Sequence, residues 1–147
     1  MLLQKEVRHE LVMLPYLSMF DNLEYRVEGR TVTLSGQVVR PVMKSDAEGA
    51  VKRIKGVAKV VNKIEVLPLS PFDDRIRFAE RRAIFSYPAL QRYALGTLPS
   101  IRIIVERGNV TLEGMVASEA DRDAAFVRAN GVPGVFSVTN NLRVEKS

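Results

Sequence analysis

The side chains able to do chemistry in this sequence are few, and their spacing argues for binding rather than catalysis. Cysteine is absent, which removes disulfides, thiolate metal sites and thiol nucleophiles together. The single histidine, His9, lies between charged neighbours Arg8 and Glu10 and reads as solvated surface. Carboxylates occur close together at Asp73-Asp74 and at Asp121/Asp123. Such pairs can transfer protons or hold a hard cation. Both pairs, however, open helical segments, where negative charge is favoured by the N-terminal dipole. Gly29, Gly36 and Gly56 have neither dinucleotide nor Walker spacing, and no Gly-Lys-Ser/Thr follows them. The expectation is a non-enzymatic protein with no cofactor, no metal and no catalytic residue.

The basic residues carry more information. Between Arg75 and Tyr93 lie Arg75, Arg77, Arg81, Arg82 and Arg92, interleaved with Ile76, Phe78, Ile84, Phe85, Tyr87 and Tyr93. Arginines on one side of an amphipathic helix with aromatics at its edge suit a surface that settles onto anionic headgroups. The same stretch also reads as a helix whose apolar residues are core and whose arginines only solubilise the outside. A second basic patch comprises Lys52, Arg53, Lys55, Lys59 and Lys63. It falls where a helix ends, and cations there are favourable for stability alone. Phe126 and Val127 form an apolar pair that could touch a sister repeat, a partner or lipid.

The elements that must position these groups come from an internal duplication. The chain has 147 residues, 46% hydrophobic and 27% charged, with a net charge of +5. That composition is globular and the mild positive excess favours anionic partners. No stretch approaches the roughly 18 apolar residues of a membrane span. Met1-Leu2-Leu3 runs at once into Gln4-Lys5-Glu6, which is no secretory h-region. Glu28–Val38 recurs as Glu106–Val116, and 13 of the 40 positions from Val27 to Val66 equal the residue 78 places on. Chance would leave two or three, since common residues each make up under about a tenth of average usage.

Each copy reads as helix, strand, strand, helix, strand. Turns at Glu28-Gly29-Arg30 and Arg107-Gly108-Asn109 join Tyr25–Glu28 to Thr31–Val38 and Arg102–Glu106 to Val110–Val116. Val32, Leu34, Gly36 and Val38 alternate with polar residues, as in a half-buried strand. Met43, Ala47, Ala50, Val51 and Ile54 make one helical face, and Ala125, Ala129 and Val132 another. Ser118 is a good N-cap, with Asp121 three residues on as in a capping box. Gly56 and Gly134 punctuate the helix ends. Asn62 and Asn140 recur in the last strand, where a side chain bonding nearby backbone at an irregularity is the simpler role. First helices are expected near Gln4–Met13 and Asp73–Phe85, with a kinked extension Ala89–Leu95 after Tyr87-Pro88.

The fold class is therefore α+β: two tandem α-β-β-α-β modules, each a small three-stranded mixed sheet covered by helices on one face. Boundaries fall at 1–67 and 73–147, with 68–72 a short proline-containing linker. A glycine after Val-Thr-Leu, an amphipathic helix, then Gly-Val, an Asn and a last hydrophobic strand resemble the BON domain of bacterial osmotic-stress and nodulation proteins, in two copies. The resemblance implies a periplasmic or envelope-associated protein, peripheral to the membrane, that binds phospholipid or another hydrophobic ligand. A protein-interaction or assembly module is the alternative, and a cytoplasmic location the alternative compartment. Nucleic acid is not an expected partner, because the bases are spread among acids without a reader motif.

Overall fold

The middle strand of each repeat sets the architecture. In the computed structural model, which describes residues 2–96 and 99–146, the first repeat runs α1 (Leu2–Val12), β1 (Asn22–Glu28), β2 (Thr31–Val38), α2 (Val42–Lys52), β3 (Lys59–Asn62) and β4 (Glu65–Val66). The second runs α3 (Pro71–Phe85), a 3-10 segment (Pro88–Ala94), β5 (Ile101–Glu106), β6 (Asn109–Val116), α4 (Glu119–Asn130), β7 (Ser137–Asn140) and β8 (Arg143–Val144). β2 pairs antiparallel with β1 and parallel with β3 and β4. β6 does the same with β5, β7 and β8. A parallel return requires a long crossover, which α2 and α4 provide. The α+β class and the two tandem modules are as expected, and the third strand of each mixed sheet is in two pieces.

Alternation decides which face is covered. Val32, Leu34 and Val38 point to the helix side and pack with Val7 and Leu11 of α1 and with Met43, Ala47 and Val51 of α2. In the second repeat Val110, Leu112 and Val116 meet Ile76 and Ile84 of α3 and Ala125 and Ala129 of α4. Gly36 and Gly114 interrupt the alternation for a steric reason. Their φ values are +105° and +125°, and a methyl there would sit 1.9 Å from the Asn22 and Ser100 carbonyl oxygens.

The recurring asparagines explain the broken strand. Asn62 Oδ1 accepts from the Ile64 N–H, while Nδ2 donates to the Lys44 carbonyl and to Glu48 Oε1. Asn140 repeats the first two contacts with the Leu142 N–H and the Arg122 carbonyl. One side chain thus bridges the gap between strand pieces and ties it to the second helix. Glu48 is held below the usual carboxylate range, by Lys52 first and then by Asn62.

The chain divides into two units, Met1–Leu17 with Asp21–Leu67, and Ser18–Phe20 with Pro68–Ser147. Within the second unit Met19 and Phe20 border the core, and the Ile103 N–H donates to the Met19 carbonyl at 2.7 Å. α3 starts at Pro71, so Pro71 and Phe72 are helical rather than linker, and the Ser70 hydroxyl accepts from the Asp73 N–H. Ser118 caps α4 in the same way. Asp121, the expected partner of that cap, is also drawn to Tyr93 and Arg92. Gly56 and Gly134 lie about a turn beyond the helices, closing the loops that follow them with φ of +103° and +90°.

Candidate functional site

α3 is a helix because Ser70 caps it, Pro71 suits its first turn, and Asp73 and Asp74 favour the positive end of its dipole. Its apolar spacing then turns Ile76 and Ile84 to the sheet. The opposite side carries Arg75, Phe78, Arg81 and Arg82, all exposed. Among the described residues neither the Arg75 nor the Arg82 side chain has a hydrogen-bonding or ion-pair partner. Arg81 lies over the Phe78 ring at 5.5 Å, and Phe78 meets Phe20 edge-on at 5.9 Å. Tyr87, just past the helix, is 40% exposed and sits under Arg128.

Three residues expected on this binding surface are drawn inward instead. Arg77 is 3% exposed. It bonds Asp74 at 2.6 Å and the Val105 carbonyl at 2.7 Å. β5 is an edge strand, and this contact satisfies a carbonyl on its unpaired side. Tyr93 is buried too, donating to Asp121 at 2.5 Å and accepting from the Ala117 N–H at 2.8 Å. Phe85 is half-buried against the core. Arg92 remains exposed but is engaged with Tyr93 and Asp121. Asp121 is thereby kept below its usual pKa, chiefly by the Tyr93 hydrogen bond and despite partial burial. The same contacts, Tyr93 first, raise that of Arg92.

The lysine patch is more dispersed. Lys52 pairs with Glu48 at 2.8 Å. Arg53 and Lys55 line an open groove of about 510 Å³ with Lys5, Glu6, His9 and Glu10 of α1. Lys59 belongs to β3, and Lys63 occupies the strand break. The second unit has a matching groove of about 400 Å³, lined by Ala79, Arg82 and Ala83 of α3 and by Val127, Arg128 and Val132. Ala50 and Ile54 of the first groove correspond to Arg128 and Val132 of the second at the 78-residue offset. Val127 is 67% exposed and Phe126 37%.

One group went unnoticed in the sequence. Glu80 is fully buried, and neither carboxylate oxygen has a partner. Its burial pushes its pKa up to about 8. The signal was present, since Glu80 falls midway between Ile76 and Ile84 in the inward stripe. The four-residue spacing of buried Val7 and Leu11 in α1 recurs in α3 as Ile76, Glu80 and Ile84, so an acid stands in an otherwise apolar row.

The comparisons with known proteins agree with this duplicated geometry. A family model described as "BON domain" matches residues 2–68 and 89–146. The chain belongs to the BON domain family. The second BON match begins after α3, so the basic-aromatic helix lies outside the matched segment. Osmotically-inducible protein Y of Escherichia coli (strain K12) is 30% identical over 126 residues, covering 84% of this chain. The chain spans 62% of that relative's length. Among solved structures, the C-terminal domain of CdsD, a structural protein of the type III secretion system of Chlamydia trachomatis, aligns at TM-score 0.33 and 11% identity. The alignment covers 97% of this chain and 96% of that one. At that TM-score the likeness carries no argument. No helix among the described residues is long and apolar enough to cross a membrane.

Proposed function

We propose that this BON protein is a non-enzymatic component of the bacterial envelope, active in osmotic stress, that associates peripherally with anionic phospholipid. The observation that carries the reading is the outward side of α3, where Arg75, Arg81 and Arg82 surround Phe78 without an acidic partner among the described residues. Lipid headgroups are anionic, and each such cation near a charged leaflet contributes about 1 kcal/mol. Phe78 adds apolar area at the helix–water boundary, as in helices that lie in the interface. The Arg82 groove between α3 and α4 offers the same headgroup a partly apolar floor. The kinship to an osmotically inducible protein supports the stress setting and, through the family, the periplasmic one.

The test is co-sedimentation with neutral and anionic vesicles at low and moderate salt. Binding to anionic vesicles that weakens with salt, and is lost in the Arg81→Glu, Arg82→Glu double variant, is the expected result. Indifference to vesicles at every salt concentration rejects the reading. The second reading, docking of another chain, draws on the outer edges of β3–β4 and β7–β8, which no strand covers in their sheets. Strand pairing at such an edge is carried by backbone hydrogen bonds and weakens far less with salt than headgroup attraction does.

A further inference from the structure

Three large apolar side chains stand in solvent at one end of the second unit. Leu69 is 97% exposed, Phe136 83% and Phe72 48%. They belong to two stretches of chain, Leu69 and Phe72 on either side of the Ser70 cap of α3 and Phe136 just before β7. The Asp73 carboxylate accepts from the Arg107 and Gly108 N–H groups, both at 2.9 Å, tying the start of α3 to the β5–β6 turn. The Phe72 ring lies over that turn. A methyl built on Gly108 would be 3.5 Å from Phe72 Cε2 and 3.5 Å from Phe136 Cβ. The Phe72 ring and the Phe136 Cβ therefore border the same glycine. Leu69 directly precedes the Ser70 cap.

The first repeat shows that the fold does not require this exposure. The residue matching Phe136 is Ala58, and the backbone is the same at both places. The Ala58 N–H donates to the Arg30 carbonyl at 2.8 Å, and the Phe136 N–H donates to the matching Gly108 carbonyl at 2.8 Å. An alanine satisfies this conformation in one copy, while the other projects a phenyl ring into water. Single exposed apolar residues are ordinary. Phe72 and Phe136, brought to one turn by the Asp73 carboxylate and the Phe136 N–H, with Leu69 three residues before Phe72, mark an interaction surface.

We propose that Leu69, Phe72 and Phe136 form an apolar anchor that enters the interfacial layer of an anionic bilayer. The inference rests on the membrane reading above and adds the residues that penetrate. Charge complementarity selects the bilayer as occupant. Arg75, one turn from Phe72, has no acidic partner among the described residues and leads into the Phe78, Arg81 and Arg82 side of α3. The acids at this end are already engaged: Asp73 by the turn, Asp74 by Arg77 and Glu106 by Arg107 at 3.6 Å.

The chain contains no tryptophan, so Phe136→Trp creates a single fluorescent reporter. It is mixed with phosphatidylglycerol vesicles bearing bromine on their acyl chains, with unbrominated vesicles as reference. The expected result is a blue shift and quenching by the brominated lipid. Phe136→Ala, which restores the first repeat's residue, lowers partitioning by about tenfold with an unchanged circular dichroism spectrum. If Phe136→Ala co-sediments like the unaltered chain and the tryptophan of the reporter stays unquenched, the anchor is wrong while the α3 reading stands. If the unaltered chain binds no vesicle, both fail, and the apolar cluster is left to a protein partner.

Discussion

At the scale of single residues, the second repeat differs from the first in how it treats buried polar groups. Asp73, Arg77 and Tyr93 are buried and each is engaged by named partners. Glu80 has none, and an ionised carboxylate in such a place is costly. With its folded pKa near 8 and its ordinary value 4.5, the folded chain holds a proton that the unfolded chain releases. The stability this provides is fully present below pH 4.5 and is lost as pH rises to about 8, because the unfolded state binds fewer protons across that window. Urea unfolding midpoints should therefore fall between pH 5 and pH 8, by an amount worth a few kcal/mol. Glu80→Gln should flatten that dependence, and a midpoint as pH-sensitive as before would show that another group is responsible. Arg77 and Tyr93 illustrate the limit of composition: an arginine–aromatic stretch does not reveal which members face inward until the helix is docked.

At the scale of elements, two features hold the second unit's hairpin and helices in register. Asp73 ties α3 to the β5–β6 turn through two hydrogen bonds, one buried and one partly buried. Asp73→Ala should cost roughly 1–3 kcal/mol by leaving those amide groups unsatisfied, measured as a drop in thermal midpoint. Gly114 lies where the Ser100 carbonyl leaves no room for a side chain. Gly114→Ala should cost more than about 1 kcal/mol, and Gly36→Ala should behave alike, since the Asn22 carbonyl occupies the same place. A thermal midpoint unchanged in either variant contradicts the steric account. The elements themselves were legible in the sequence, because period-2 alternation around Val32 and Val110 and the helical spacing of Met43, Ala47 and Val51 are local properties. The irregularity in the last strand was legible at Asn62 and Asn140, whose Oδ1 atoms accept from the Ile64 and Leu142 N–H groups, but the tie to the second helix was not. Their partners, the Lys44 and Arg122 carbonyls, are 18 residues away in sequence.

At the scale of the whole molecule, a net charge of +5 would steer the proposed association with an anionic membrane electrostatically. Raising ionic strength from about 0.1 M to 1 M shortens the screening length from about 10 Å to 3 Å. Vesicle binding carried by α3 should fall steeply over that range, whereas any residual attachment through Leu69, Phe72 and Phe136 should persist. Equal loss in the unaltered chain and in Phe136→Ala at high salt would remove the apolar contribution. The sequence by itself determined the duplication, the fold class, the strand and helix order and the scarcity of reactive groups. These follow from residue identity and from spacing over a few turns of chain. Only the tertiary structure decided that Arg77, Tyr93 and Glu80 are buried, that Arg75, Phe78, Arg81 and Arg82 remain outside, and that Phe72 and Phe136 each approach Gly108. Those outcomes depend on which side of a helix docks and on which distant backbone groups reach a side chain. The hydrogen bonds of Arg77, Tyr93 and Asp73 span 24 to 35 residues, beyond anything local periodicity encodes.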